Sequence, residues 1–193
     1  SDVYKRQGST DTAKTDQADG KDTFTVGFDQ DFPPFGYVGD DGEFTGFDIE
    51  MATECAARMG KKIVLQPIDW DAKDMELEAG TIDCIWNGFT MNGREDQYTW
   101  TDPYMDNSQV VVVKKDSGIN TLADLAGKVV EVQKESAAET ALNDEEHADL
   151  MASFAQLLSV GEYNTAFMDL ESGAVDAVAI DIGVAQFQIC LLY

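Results

Sequence analysis

Met75-Glu-Leu-Glu-Ala-Gly-Thr-Ile-Asp-Cys-Ile85 returns 93 positions later as Met168-Asp-Leu-Glu-Ser-Gly-Ala-Val-Asp-Ala-Val178. In both copies an acidic helical segment stops at a glycine, Gly80 or Gly173, and a short β-branched strand follows with one aspartate, Asp83 or Asp176, near its start. Glycine suits the left-handed residue that closes a helix, so each copy reads as helix, stop, strand. Two such units so far apart point to two lobes of one architecture rather than a single sheet. Chance likeness between two unrelated helix–glycine–strand units is the alternative.

Working outward, strands and helices alternate. Strands are expected at Thr23–Phe28, Ile63–Gln66, Ile82–Phe89, Val110–Val113, Lys128–Gln133, Phe154–Val160 and Ala174–Ile180. Helices are expected after Asp48 as cap, after Thr121, after the capping box Ser136-Ala-Ala-Glu139, around Thr165–Leu170 and from Gly183. Gly39-Asp-Asp-Gly42 is a hairpin turn. The alternation predicts an α/β fold of parallel-rich sheets flanked by helices.

With 193 residues and 44% hydrophobic content the chain can bury a substantial core. Its formal net charge of −24 argues against a nucleic-acid partner and against docking of the body on an anionic membrane, because like charges repel. Cys55, Cys84 and Cys190 lack metal-ligand spacing. Cys55 and Cys84 read as small buried apolar residues, with a disulfide between them as the alternative. No cofactor and no metal is expected. Residues 8–22 carry nothing apolar larger than alanine and read, with the preceding residues, as a leader or linker spanning 1–22. Ser1–Gln7 and Cys190–Tyr193 read as foreign to the domain, 190–193 as a non-native tail.

Ligands of open parallel sheets gather beyond the carboxyl ends of the strands. The first repeated strand runs into Gly88, Thr90 and Arg94; the second runs into Asp181, which occupies the place of Gly88 in the repeat. A cation in one lobe and a carboxylate in the other would suit a small zwitterion. Of the three arginines, Arg6 lies in the leader and Arg58 near the end of an amphipathic helix. Arg94 follows a strand end, where its planar fork can hold a carboxylate, or else it is a surface residue beside Glu95 and Asp96. Ser136 opens a helix whose free N–H groups either bind an anion or are simply capped. Phe32 and Trp70 are candidate aromatic walls or core residues, and Asp29 either reads a polar ligand end or caps a turn.

These positions converge on a known family. Gly27-Phe-Asp-Gln-Asp-Phe-Pro-Pro-Phe35, Gly46-Phe-Asp-Ile-Glu50, Gly80-Thr-Ile-Asp-Cys-Ile85, Trp100-Thr-Asp-Pro-Tyr104, Leu125-Ala-Gly-Lys-Val-Val130 and Gly173-Ala-Val-Asp-Ala-Val178 resemble the family-3 extracellular solute-binding proteins, the polar amino-acid-binding components of ABC importers. The resemblance covers residues 23 to about 189. It implies a two-lobed, periplasmic-binding-protein-like (type II) fold with lobe 1 at 23–112, an incomplete lobe 2 at 113–189, and the C-terminal part missing.

By the same resemblance, Arg94 and Thr90 bind the ligand α-carboxylate with backbone groups from Ser136 to Ala138, and Asp181 with the Gly88 carbonyl holds the ammonium. Phe32 and Trp70 flank the side chain, and Asp29 meets its far end or the ammonium. The implied protein is a non-enzymatic monomer outside the cytoplasmic membrane, reaching the membrane only through a lost N-terminal anchor, that closes on a free amino acid and presents it to a permease. A dehydratase of the prephenate or arogenate type on the same scaffold, and the sensing domain of a larger receptor, are the alternatives. Two departures from the family pattern stand out: Thr90 and Arg94 are one residue closer than usual, and Glu135 replaces the usual glycine before Ser136. Asp29, Asp31 and Glu135 lean the ligand towards an amide or cationic side chain.

Overall fold

The computed structural model describes residues 21–192; the leader expected at 1–22 lies almost wholly outside them. Three sheets form. The first joins β1 (Thr23–Phe28), β5 (Lys62–Pro67) and β6 (Cys84–Ile85) in the order β5-β1-β6, all parallel. A small antiparallel sheet of β2 (Asp31–Phe32), β3 (Gly36–Val38) and β4 (Phe44–Thr45) sits beside it and carries the expected Gly39–Gly42 turn. The third sheet takes β7 (Gln109–Val113), β8 (Val129–Gln133), β9 (Gln156–Val160) and β10 (Ala177–Asp181) in the order β7-β10-β8-β9. Six α-helices, α1 (Phe47–Arg58), α2 (Lys73–Ala79), α3 (Ala137–Asn143), α4 (Ala148–Ser153), α5 (Tyr163–Ser172) and α6 (Ile182–Leu192), and three short 3-10 turns, Trp70–Ala72, Leu122–Leu125 and Glu145–His147, complete the described residues.

The third sheet is covered on both faces, as the period of two in β10 requires. Val178 and Ile180 enter one core with Tyr163, Phe167 and Val184 from α5 and α6. Ala179 faces the other way, onto Ala138 and Leu142 of α3. The first core also takes in Phe32 and Phe35 from the small sheet and its turn, so apolar packing bridges the two lobes.

The sequence repeat reappears at atomic detail. Gly80 and Gly173 close α2 and α5 with φ of 71° and 85°. Asp83 N–H donates to Thr25 O at 2.8 Å while its Oδ2 accepts Thr25 N–H at 2.8 Å. Asp176 makes the same two bonds with Val129, both at 2.9 Å. Each repeated aspartate therefore closes a two-bond ring on the neighbouring parallel strand and fixes where the pairing begins. The Thr25 amide is the largest influence and, opposed by burial and aided by Lys21, holds the Asp83 carboxyl below its ordinary range.

Several expectations change. The strand expected at Ile82–Phe89 is only Cys84–Ile85, an edge strand paired with β1 alone among the described residues, whereas the strand expected at Ala174–Ile180 is Ala177–Asp181, held between β7 and β8. β7, most of which the sequence reading places in lobe 1, is hydrogen-bonded antiparallel to β10 in the second lobe's sheet. Asp48 is not a cap: Gly46 holds the cap position, and the Phe47 and Asp48 amides donate to the Pro34 and Phe35 carbonyls at 2.9 Å. Glu139 sends its carboxylate to the Glu135 amide at 2.6 Å rather than to that of Ser136, so the capping box is displaced by one residue. Cys55 and Cys84 are free thiols, as the main reading expects and its disulfide alternative does not, but they are half-buried rather than buried. α6 continues through 190–192, which the sequence reading sets apart as a tail.

Asp83→Ala and Asp176→Ala each remove a charged acceptor from a strand N–H. Each is expected to cost roughly 1–3 kcal/mol of unfolding free energy in urea titration. Equal losses in the two variants would express the repeat as energy; no loss in either would show the ring to be incidental.

Candidate functional site

β1, β6, β8 and β10 point their carboxyl ends at the gap between the lobes, and β7, running the other way, brings its first residue to the same place, with Gln109 opposite Asp181. A cavity there is lined by Phe32, Trp70, Gly88, Thr90, Arg94, Ser136 and Asp181 among the expected residues. Asn87, Phe89, Gln133 and Ala137 complete its wall. Asp29 and Ala138 do not line it. Ala138 is 1% exposed and packed on Val132, Leu142 and Ala179, so its side chain serves the core. The free space within is about 20 Å³. That is room for roughly one water, so an amino acid enters only if the walls part.

Asp181 is buried at 6% exposure and accepts Gln109 Nε2 at 2.7 Å, with Asn107 Nδ2 on the same oxygen. Burial raises its pKa, and the two amides only partly offset that. Asn107 also donates to Thr90 Oγ1 at 3.1 Å, tying the two expected ligand groups of opposite lobes together. Neither Asn107 nor Gln109 belongs to a sequence motif, and both come from the crossover into the antiparallel strand.

Arg94 is 8% exposed and lies over the Phe89 ring, its guanidinium carbon 5.2 Å from the centroid. Its Nη2 donates across the lobes to Glu135 O at 2.9 Å and Thr140 Oγ1 at 3.2 Å. The shortened Thr90–Arg94 spacing therefore still delivers the guanidinium to the cleft. Trp70 meets Phe89 edge-on at 5.1 Å, and Lys73 Nζ sits 5.4 Å over the Trp70 ring. Phe32 stacks on Phe35 at 5.6 Å and reaches Tyr163 at 6.0 Å, so it is at once wall and core.

Glu135, the residue standing in for a glycine, has φ of 58° and is the one non-glycine with positive φ among the described residues. This backbone costs on the order of 1–2 kcal/mol for a residue with a Cβ. Compensation comes from three sides: the Glu139 carboxylate on its amide, Arg94 on its carbonyl, and Lys73 Nζ on its carboxylate at 2.8 Å. Ser136 Oγ accepts the Glu139 amide at 3.1 Å, so the hydroxyl serves as a cap here. A wider polar mouth of about 430 Å³, lined by Lys73, Arg94, Tyr98 and Glu135 among others, opens beside the cavity.

Asp29 is sealed behind the cavity at 4% exposure. Its Oδ1 accepts the Asp31 amide at 2.8 Å, and its Oδ2 accepts Gln133 Nε2 at 2.6 Å from the opposite lobe. All three carboxylates behind the expected lean towards cationic ligands are thus engaged across the gap: Asp29 with Gln133, Asp31 with Asn164, and Glu135 with Lys73. Gln133 was legible in principle, since it is the last residue of a parallel strand.

Burial, opposed by the Asp31 amide and Gln133, pushes the Asp29 carboxyl up to about 6 from 3.8. A folded pKa above the unfolded one contributes stability that is fully present below the unfolded value and lost as pH rises through about 6. The melting temperature is therefore expected to rise between about pH 7.5 and pH 5. Asp29→Asn should flatten that rise, by up to about 3 kcal/mol at about 1.4 kcal/mol per pKa unit. Parallel pH profiles of parent and variant in calorimetry would overturn this assignment.

With the geometry in place, likeness to known proteins becomes informative. The profile of the bacterial extracellular solute-binding proteins, family 3, matches residues 24–167. The L-cystine-binding protein TcyJ of Escherichia coli is 32% identical over 162 residues, covering 82% of this chain and 59% of that protein. The chain therefore spans about three fifths of the length of that curated relative. An ABC uptake transporter substrate-binding protein from Streptococcus pneumoniae, solved with bound histidine, superposes with TM-score 0.82 at 36% identity, over 87% of this chain and 69% of that one. AncCDT-1, an ancestral amino acid-binding protein described as a precursor of cyclohexadienyl dehydratase, gives TM-score 0.81 at 30% identity, over 89% of this chain and 75% of that one. The fold is the two-lobed type II periplasmic-binding architecture. By sequence profile and fold together, this chain belongs to the family 3 bacterial extracellular solute-binding proteins.

Proposed function

We propose that this protein binds a free amino acid between its lobes, closes on it by a hinged motion, and delivers it to the permease of an ABC importer outside the cytoplasmic membrane. The observation that carries this reading is the convergence of the two repeated strand ends. Gly88, Thr90 and Arg94 from one and Asp181 from the other line a single inter-lobe cavity. A guanidinium and a carboxylate from opposite lobes, with Trp70 and Phe32 in the same wall, match an α-carboxylate, an α-ammonium and a side chain. In this reading Arg94 and Thr90 take the carboxylate, Asp181 and the Gly88 carbonyl take the ammonium, and the helix start at Ser136 assists Arg94. Asp29 reaches ligand only when Gln133 withdraws. Contacts made with ligand in the closed state alone would shift the open–closed equilibrium.

A dehydratase is the second reading, favoured by one feature: the cleft region holds Asp29 and Asp181, buried carboxyls with raised pKa values, as a general acid requires. Incubation with prephenate or arogenate and detection of the aromatic product tests it; no product leaves the binding reading standing.

A thermal-shift scan over the proteinogenic amino acids and cystine, beginning with histidine and cystine, tests the main reading. Ligand at about a hundredfold excess over its dissociation constant should add about 2.7 kcal/mol of stability. Arg94→Ala and Asp181→Ala should each weaken the responding amino acid by roughly 2–5 kcal/mol in titration calorimetry, because a buried charge of the ligand loses its partner. Unchanged affinity in either variant would remove that residue from the site.

A further inference from the structure

We infer that Asp48 is a positioning residue for the first-lobe half of the ligand site, clamping the outgoing and returning ends of the inter-lobe crossover and so fixing the arm that carries Gly88, Thr90 and Arg94. The inference rests on the amino-acid-binding reading of the cleft.

Asp48 is 0% exposed, yet it lies in the first turn of α1, where an aspartate ordinarily caps and stays in solvent. The carbonyls of Pro34 and Phe35 have taken that duty, leaving the carboxylate free to turn inward. It meets the crossover at both ends. Tyr104, near the return into β7, donates its hydroxyl to Asp48 Oδ1 at 2.9 Å. Trp86, the first residue after β6, lies 6.5 Å from the Tyr104 ring. Asp48 Oδ2 and the Trp86 indole N–H are both buried without a partner at full hydrogen-bonding geometry. The indole and the Gly88 amide nonetheless face the carboxylate closely enough to favour its charge, against the burial that pushes its pKa up to about 6.

A buried carboxylate is costly unless donors face it. Here Tyr104, at the returning end, is the hydrogen-bonded donor, and the Trp86 indole and Gly88 amide face the carboxylate from the outgoing end. Gly88 lines the cleft, and Thr90 and Arg94 follow within six residues of it. Beyond Ile85 the first-lobe sheet no longer pairs with this chain segment, although Trp86 N–H still reaches Gly27 O at 3.0 Å. Asp48 supplies the anchor that pairing on both sides gives to β10 in the other lobe.

Hydrogen exchange of the ligand-free chain, read by mass spectrometry, tests the clamp without reference to ligand. Asp48→Asn keeps the volume but removes the charge and turns one accepting oxygen into an N–H donor; Tyr104→Phe removes the hydroxyl that Asp48 accepts and guards against a variant that fails to fold. Both are expected to accelerate exchange at residues 86–94 at least tenfold while β1 and β10 stay protected. Titration with L-histidine should show affinity falling about tenfold for a melting temperature lowered by only a few degrees. Unchanged exchange at 86–94 in folded Asp48→Asn, or in Tyr104→Phe if the first does not fold, would overturn the inference. Loss of protection spread evenly over the chain would overturn it too, as the mark of a merely structural role. Failure of the parent to bind any amino acid would count against the binding reading and leave the exchange result to judge the clamp.

Discussion

A buried hydrogen bond between the lobes, Gln133 Nε2 to Asp29 Oδ2 at 2.6 Å, sets the constraint from which the rest of the cleft follows. Both side chains are almost without solvent, and a carboxylate in that position must be met by donors. The lobes are apposed so that the donor of one meets the acceptor of the other. In the same arrangement Arg94 reaches the Glu135 carbonyl, Lys73 the Glu135 carboxylate, and Asn107 links Thr90 to Asp181. The small free volume of the cavity has the same cause, because the groups proposed to hold ligand are satisfied by one another.

That arrangement has an energetic consequence for a binding protein. Any ligand entering the cleft competes with inter-lobe bonds already made, so its net affinity is the difference between two sets of contacts. The exposed pair Lys134–Asp71 at 2.8 Å contributes little to this balance, since solvent screens it. The Lys73–Glu135 pair matters more, because Lys73 is 2% exposed and its ammonium would be left buried without the carboxylate. Glu135 thus accepts a strained backbone in exchange for neutralising Lys73, which rationalises a departure from the family pattern that spacing alone leaves unexplained.

The repeat made much of the fold legible, since a helix stop at glycine and a strand-starting aspartate are local chemistry: Gly80 and Gly173 need only their own φ, and Asp83 and Asp176 only the adjacent strand. Asp48 shows where local reading stops. Its sequence signal, an aspartate before an apolar helix, is that of a cap, and only the proximity of Pro34 and Phe35 carbonyls displaces it into the interior. At the helix start after Ser136 the side chain of residue 138 turns into the core and residue 137 towards the cleft, so only backbone groups of Ala138 are left for the role expected of it.

The sequence by itself determined the family, the two αβ lobes and most of the residues that line the cleft, because each rests on short-range patterns of helix stop, strand period and strand end. Tertiary structure decided the partners. Asn107, Gln109 and Gln133 enter the site through strand direction and lobe apposition, and whether Asp29 faces the cavity or lies sealed behind it depends on Gln133, 104 residues away. Which buried charge meets which donor is a property of the closed gap between lobes, and no local pattern of residues encodes that distance.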